Sequence, residues 1–317
     1  MNERYGEKQS NSIDLSVIVV NWNTKDLLRN CLQSVYSTVH DLTLEIIVVD
    51  NASSDGSQEM LERDFPQIIR ICNRENRGFG AANNQAFAVM KGKYALLLNS
   101  DAVLTPNAVH KLWSFCEANK RAAIACGQLL NADGSKQNSV ASFPGLLTLA
   151  TNTSLLEYLF PRQFPSKRYQ HEQPLEVDSA IGACMMIRKK ALDETGFFDE
   201  RYFFFFEETD LAYALHRAGW KTYHIPDAYI YHFQGQSIGN NLKSRIEFYR
   251  SRYQFLGKWH GRAYYICASS LIFLRLLINW FSAFVAGALT LGLSEKIRQK
   301  FAVYSWLIGW HFKRDNR

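Results

Sequence analysis

Three carboxylates, Glu207, Glu208 and Asp210, stand within four residues of one another, directly after the phenylalanine run 203–206. Like charges that close push at least one carboxyl toward a higher pKa, the direction that suits a carboxylate taking a proton from a hydroxyl. The same acids also suit the first turn of a helix, where the macrodipole favours negative charge. A second polar set is spaced through the N-terminal third. Asn21 and Asp50 end the apolar runs LSVIVV (15–20) and LEIIVV (44–49), and Asn99-Ser100-Asp101 ends YALLL (94–98). Such runs read as strands buried on both faces of a parallel sheet. In open α/β sheets the carboxyl ends of the strands meet at one ligand crevice, so Asn21, Asp50 and Asp101 are expected to converge there.

The elements that must hold these residues follow from the pattern of the chain. Leu27–Tyr36 carries apolar residues at helical spacing. After Asp50, the polar turn through Asn51, Ser53 and Asp55 leads into a helix at 58–63, and 68–72 reads as a further strand. Residues 73–82, NRENRGFGAA, open a helix that runs to Met90. Gly78 and Gly80 suit a close pass of the backbone against a ligand or a neighbouring helix, and the incomplete GxGxxG excludes a dinucleotide fingerprint. Residues 106–119 read as a helix. A long loop at 131–176 with a short helix at 146–160 is the kind of segment that meets an acceptor. A strand at 177–187 broken at Gly182, helices at 189–195 and 211–218, and runs at 220–225 and 229–232 complete the pattern.

The 317 residues are enough for one large α/β domain and an appendage, and 47% hydrophobic with 21% charged residues fits a globular chain. The net charge of +6 is uneven: residues 1–242 hold 23 Lys/Arg against 27 Asp/Glu, and residues 243–317 hold 13 against 3. In that tail, Arg275 is the one charge between Arg262 and Glu295, and 276–294 is an uncharged stretch of nearly membrane-spanning length. Residues 301–312 mix tryptophan and tyrosine with aliphatics, as interfacial segments do. Basic residues flanking apolar runs favour an anionic membrane surface over nucleic acid. A single span, an in-plane or re-entrant helix pair and a soluble helical cap all fit the pattern, with membrane association favoured. The six cysteines have no metal-site spacing and suit a reducing compartment, with Cys31, Cys126 and Cys184 expected in the core. Residues 1–12 read as a disordered polar arm without a secretory signal.

Seven motifs in order, VIVVNWN (17–23), VVDNASSDGS (48–57), NRGFGAANN (76–84), LLLNSDA (96–102), GACMMIR (182–188), GFFDERYFFFFEETDL (196–211) and YHFQGQS (231–237), carry a resemblance to family 2 glycosyltransferases of the GT-A fold, nearest to bacterial rhamnosyltransferase-like members. The resemblance covers residues 15–240. It implies a mixed, mainly parallel sheet flanked by helices, with a nucleotide-binding half at about 13–130 and an acceptor half at about 131–242. It also implies that the loop of Asp50, with Asn51 and Ser53, holds the base and ribose of a nucleotide-diphospho-sugar. Asn21 and Asp55 would stand nearby, with Asn76 and Gly78 closing over the nucleotide.

By the same resemblance, Asp101 is the last carboxylate of a DxD element reduced here to Asn99-Ser100-Asp101. With His232 it would hold a divalent cation, Mn²⁺ or Mg²⁺. Glu208 matches the position of the catalytic base, where relatives more often carry Asp, while Gly182, Glu207 and Asp210 are acceptor-side candidates. In-line attack would invert the anomeric carbon, moving a hexose, with rhamnose from dTDP-rhamnose the leading donor, to a lipid-linked or polysaccharide acceptor. The work would be done at the cytoplasmic face of the inner membrane, in cell-surface glycan synthesis. Two rivals are a sugar-phosphate nucleotidyltransferase, for which NWNTK is a poor phosphate loop, and a non-catalytic carbohydrate-binding relative, suggested by the thin DxD.

Overall fold

The structure is a computed structural model that describes residues 12–233, 242–291 and 293–313. The arm expected at 1–12 lies outside the described residues except for Ser12, as does the end of the YHFQGQS motif from Gln234 onward.

Four strands, β1 (Leu15–Asn21), β2 (Leu44–Asp50), β3 (Ile69–Cys72) and β4 (Tyr94–Leu98), are mutually parallel and stand side by side in the order β3-β2-β1-β4. Helices α1 (Lys25–Thr38), α2 (Ser57–Asp64) and α3 (Phe79–Phe87) connect them. β1 and β4 are apolar on both faces because a hydrophobic cluster packs on each side. Leu28, Leu32 and Val35 of α1 cover one face, and Ala82, Ala86 and Phe87 of α3 the other. The register sets Asn21 directly beside Asp50 at the strand ends.

The sheet continues with β5 (Ala102–Leu104), α4 (Ala108–Ala118) and β6 (Ala122–Leu130). Then follow β7 (Val140–Ala141), α5 (Leu146–Ala150), α6 (Thr153–Leu159), β8 (Leu175–Val177) and β9 (Ser179–Ala180). β10 (Cys184–Arg188), α7 (Lys189–Thr195), α8 (Glu207–Arg217) and β11 (Lys221–His232) close this part. β10 runs antiparallel between β4 and β6, and β11 pairs parallel to β6 and antiparallel to β5 and β8. The outcome is the mixed, mainly parallel sheet that the motifs imply.

Several elements differ from the sequence expectation. No strand is expected at 120–130, yet β6, AAIACGQLL, is buried on both faces at the centre of the sheet. Its alanines, cysteine and glycine have little intrinsic strand preference, and the pairing with β10 and β11 imposes the extended form. The helix expected at 146–160 is two, because Thr151 is extended and Asn152 starts anew by accepting from the Ser154 N–H at 3.0 Å. The runs 220–225 and 229–232 are one strand, with a register shift between Ile225 and Tyr229. Helix α8 begins at Glu207 rather than 211.

The tail is three helices, α9 (Leu242–Trp259), α10 (Arg262–Leu289) and α11 (Glu295–Lys313). α10 is one helix of 28 residues running straight through Arg275, long and apolar enough to cross a membrane. It pairs antiparallel with α11: Trp280 donates to Ser305 at 2.8 Å, and Phe273 stacks on His311. α9 is locked to the sheet domain. Lys258 Nζ reaches Asp199 Oδ2 at 2.8 Å and Asp210 Oδ2 at 2.6 Å, and the Trp259 indole N–H donates to Asp210 Oδ1 at 2.6 Å. Tyr202, Phe206 and Phe255 pack as a buried aromatic group beside these bonds.

Burial pushes the Asp199 carboxyl up, but hydrogen bonds from Lys258 and Arg201 outweigh it and leave the group below its ordinary value. A depressed carboxyl gives stability that is present above the unfolded-state pKa and is lost as pH falls through the folded one. Lys258→Ala should therefore cost about 1.5–3 kcal/mol near neutral pH and flatten the acid limb of stability. Denaturant melts of both proteins from pH 3 to 7 check this; parallel curves would remove Lys258 from the account.

Candidate functional site

The loop after β2 is tied down by its own acids. Asp50 is 1% exposed. Its Oδ2 accepts from Asn21 Nδ2 at 2.9 Å, and its Oδ1 accepts from the Ser53 N–H at 2.9 Å and from Gln58 Nε2 at 2.7 Å. Asp55 accepts from the N–H groups of Lys25 at 2.8 Å and Ser57 at 3.1 Å, so one carboxylate serves the first residues of both α1 and α2. Burial raises Asp55, and the Ser57 hydroxyl with these N–H groups more than offsets it, leaving the group low. Of the residues expected against the nucleotide, Asn21, Asp50 and Ser53 thus hydrogen-bond one another, while Asp55 braces the starts of α1 and α2.

The cleft lies just beyond them, with a volume of about 530 Å³. Asn51, Asn76, Gly78 and Asp101 line it, together with Val20, Trp22, Phe79, Asn99, Ser100, Phe203 and Phe204. Asn51 donates to the Gly78 carbonyl at 3.1 Å and accepts from Asn73 at 2.9 Å, tying the β2 loop to the start of α3. Trp22 of the VIVVNWN motif also lines the cleft and is 43% exposed, an apolar plate that was not among the expected site residues. Gly78 has φ +82°, and a Cβ there would stand 2.4 Å from the Phe203 carbonyl oxygen, so only glycine allows this approach. The Phe79 N–H donates to that same carbonyl at 3.2 Å.

Asp101 and His232 do come together. Asp101 Oδ1 lies 3.3 Å from His232 Nε2, and both side chains are buried. Gln137 orients the imidazole. Its amide nitrogen faces the oxygens of Asn131 Oδ1 at 2.8 Å and the His232 carbonyl at 2.6 Å, so its Oε1 is the atom turned to His232 Nδ1 at 3.0 Å. Nδ1 then carries the proton, and the Nε2 lone pair faces a carboxylate. Two acceptors at that distance require a cation or a proton between them, and the pairing of a ligating histidine with an outer hydrogen-bond partner suits a metal. Among the described residues no three or more His, Cys, Asp or Glu side chains gather as a metal site.

The carboxylate trio divides. Asp210 accepts from Tyr202, Lys258 and Trp259, which occupy its oxygens. Glu207 is buried under α3, its Cβ facing Gly80, and one of its oxygens lacks a partner. Burial, then the charge of Glu208, raise Glu207 well above its ordinary value. Glu208 is also raised by burial, opposed by the Gly182 N–H, and it alone of the three lines a second cavity of about 470 Å³.

The wall between the two cavities is the phenylalanine run. Phe203 and Phe204 face the first, and Phe205 and Phe206 the second. Phe205 (φ 68°) and Phe206 (φ 70°) are both left-handed, a costly conformation for bulky side chains that turns the chain sharply into α8. Gly182 sits at the junction: a Cβ there would be 3.6 Å from Phe79 on one side and 3.8 Å from Glu208 Oε1 on the other. α9 closes both spaces, with Lys243, Ser244 and Glu247 at the first and Phe248, Tyr249 and Arg252 at the second. The boundary expected at 242 therefore runs through the site. Sequence patterns flagged the basic tail but not these side chains, since the contact is made only in three dimensions.

A family model described as glycosyl transferase family 2 matches residues 16–196. A curated relative, the N-acetylglucosaminyl-diphospho-decaprenol L-rhamnosyltransferase of Mycobacterium tuberculosis, is 27% identical over 263 residues, covering 78% of this chain and 85% of the relative. The low-salt glycan biosynthesis hexosyltransferase Agl10 of Haloferax volcanii is 27% identical over 208 residues, 64% of this chain and 62% of its own. Among solved structures, the Pyrobaculum calidifontis mannosyltransferase PcManGT in complex with GDP-Man and Mn²⁺ superposes with a TM-score of 0.59. It is 16% identical and covers 96% of this chain and 87% of its own, a likeness of fold.

The Gly78 contact can be tested against Gly196, which has φ +93° but open space around it. Gly196→Ala should cost about 1–2 kcal/mol for the left-handed backbone alone. Gly78→Ala should add a clash of about 1–3 kcal/mol to that cost and disturb the phenylalanine wall. Thermal melts of the two variants read the difference; equal losses would show that the Phe203 carbonyl yields freely.

Proposed function

The chain belongs to glycosyl transferase family 2, and on that premise we propose how this glycosyltransferase divides its two cavities between donor and acceptor. The observation that carries the reading is that Asp101 lines one cavity and Glu208 the other, with only Gly182, Phe79 and the phenylalanine wall between them. A nucleotide-diphospho-sugar lies in the first cavity. Trp22 and Phe79 offer apolar contact to the base and sugar rings, and Asn51 and Asn76 supply the polar contacts. Asp50 acts from behind: the amide N–H that Gln58 gives it is the kind of donor a pyrimidine imide would present, so a base that displaced Gln58 would find a ready acceptor.

Asp101 and His232 would hold a divalent cation, with Gln137 fixing the ring so that Nε2 faces the metal. When bound, that ion neutralises the charge that develops on the diphosphate leaving group. Glu208 takes the proton from the acceptor hydroxyl as it attacks across Gly182, opposite the leaving group, which inverts the anomeric carbon. The phenylalanine wall keeps water from the donor, limiting hydrolysis.

For the sugar and its acceptor, the Mycobacterium relative named as a rhamnosyltransferase on a diphospho-decaprenol supports rhamnose and a lipid-linked acceptor. The exposed apolar residues of α10, among them Leu274, Ile278, Phe281 and Leu289, support attachment to a membrane.

Glu208→Gln should lower turnover by roughly 10²–10⁴-fold with donor binding unchanged, whereas Glu207→Gln should change turnover less, since Glu207 is buried and does not line that cavity. Because burial raises Glu208, the base is lost as pH falls through a value above the ordinary carboxylate range, and kcat/KM should decline there. Steady-state transfer across pH with donor titration decides; an active Glu208→Gln beside a dead Glu207→Gln would reassign the base. Chelator should abolish transfer, and Mn²⁺ or Mg²⁺ should restore it. His232→Ala should weaken metal-dependent donor binding, and full activity in chelator would remove the metal.

A further inference from the structure

The cavity that Glu208 lines reaches two guanidinium groups that proton removal and leaving-group departure do not use. Arg252 of α9 and Arg275 of α10 line it together with Tyr249, Asn279 and Tyr304. Among the described residues neither arginine has an ion-pair partner. Arg275 makes one hydrogen bond, from Nη1 to the Thr151 carbonyl at 3.3 Å. Arg252 has its Nε buried without any acceptor, and its guanidinium lies 4.5 Å over the Phe248 ring. Burial, with the charge of Arg275 adding to it, holds Arg252 below its ordinary basicity. Two cations lining one cavity without an anion in contact with either are costly, and a charge on an apolar helix such as α10 is a mark of function. Glu157 and Glu208 line the same cavity, yet neither stands within 4.0 Å of an arginine. Glu208 in particular would lose its basicity in such a pair.

Arginine's planar fork matches phosphate oxygens in pairs, and a cavity of about 470 Å³ has room for a sugar with a diphosphate beyond it. α6 and α10, which both contribute to the lining of this cavity, also carry the exposed apolar side chains Leu155, Leu159, Leu274 and Ile278. We propose that Arg252 and Arg275 bind the phosphate or diphosphate of a lipid-linked acceptor, presenting its sugar to Glu208 while its apolar chain leaves over α6 and α10. The assignment rests on the glycosyl-transfer reading above and adds the acceptor's anionic group and the residues that hold it.

The experiment uses the full chain in neutral detergent micelles, with farnesyl diphosphate as probe and titration calorimetry as readout. Farnesol, inorganic diphosphate and phosphatidylglycerol in mixed micelles are the comparison ligands, and UDP and dTDP report on the other cavity. Farnesyl diphosphate should bind and farnesol should not. Arg275→Gln and Arg252→Gln should each weaken it about 10- to 100-fold, with Arg275→Lys intermediate and nucleotide binding unchanged. Arg275→Gln keeps the test open if Arg252→Gln fails to fold, since Arg275 makes one hydrogen bond among the described residues. Equal affinity of the folded glutamine variants and wild type would overturn the proposal. So would phosphatidylglycerol competing as well as farnesyl diphosphate, which would mark a membrane-headgroup site. Failure of the glycosyl-transfer reading would look different: no nucleotide would bind the first cavity, while the arginine-dependent binding of the prenyl diphosphate persisted.

Discussion

The approach of Gly78 to the Phe203 carbonyl is the contact on which the rest of the site depends. A glycine with φ +82° lets α3 start against the phenylalanine run, and the Phe79 N–H then holds that run by its first carbonyl. Pinned there, the chain has only four residues in which to cross from one cavity to the other and enter α8. It does so through two consecutive left-handed phenylalanines. Each costs on the order of 1–3 kcal/mol, so something nearby must hold the turn in place. The restraint comes from the far side of α8, where Asp210 collects Tyr202, Lys258 and Trp259, and from the aromatic packing of Phe206 on Phe248 and Phe255. Strain at the wall and the lock on α9 are two sides of one device.

That device also sorts three adjacent acids by environment. The sharp entry into α8 sends Glu207 inward toward Gly80, Glu208 into the open cavity and Asp210 toward the basic end of α9. Three neighbouring acids thus end as a buried carboxyl whose basicity burial raises, a raised carboxyl that lines a cavity, and a carboxyl bonded to Lys258 and Trp259. Among the three, only Glu208 combines access to solvent space with raised basicity, and neither property follows from its position in the sequence.

The sheet and the meeting of its polar ends were legible because buried parallel strands must be apolar throughout, and three such runs end in side chains able to hydrogen-bond. β6 was not legible, because AAIACGQLL carries no strand signal and is extended only through its neighbours. Asp101 and His232 were both visible as motif residues, while Gln137, which fixes the histidine, sits in a loop without any pattern. Asp50 and Asp55 were legible as residues of the crevice but not as braces of it. A carboxylate at a strand end faces either a ligand or its own loop, and only the positions of Asn21, Gln58 and Lys25 decide which. The tail shows the same limit. Its charge and apolar lengths were plain, but not that the stretches on both sides of Arg275 form one helix, since one arginine that finds a polar cavity does not interrupt a helix.

Placing the acceptor wall on the tail helices has a physical consequence. A glycosyltransferase for a soluble sugar could build both cavities from the sheet domain alone. Here α9 closes both, and α10 brings to the second one the only charge along its apolar length. On the membrane reading, the helix that rests in the lipid and the residue that meets the acceptor's anion are the same element. A lipid-linked acceptor moving in the bilayer would then find its phosphate partner at the membrane surface. Its chain would stay in an apolar medium while the sugar entered the polar cavity at Glu208. Neither half of the acceptor would be moved into the wrong solvent. That avoids the largest cost in joining a lipid to a water-borne donor, the transfer of an apolar chain into water at about 25 cal/mol for each Å² exposed.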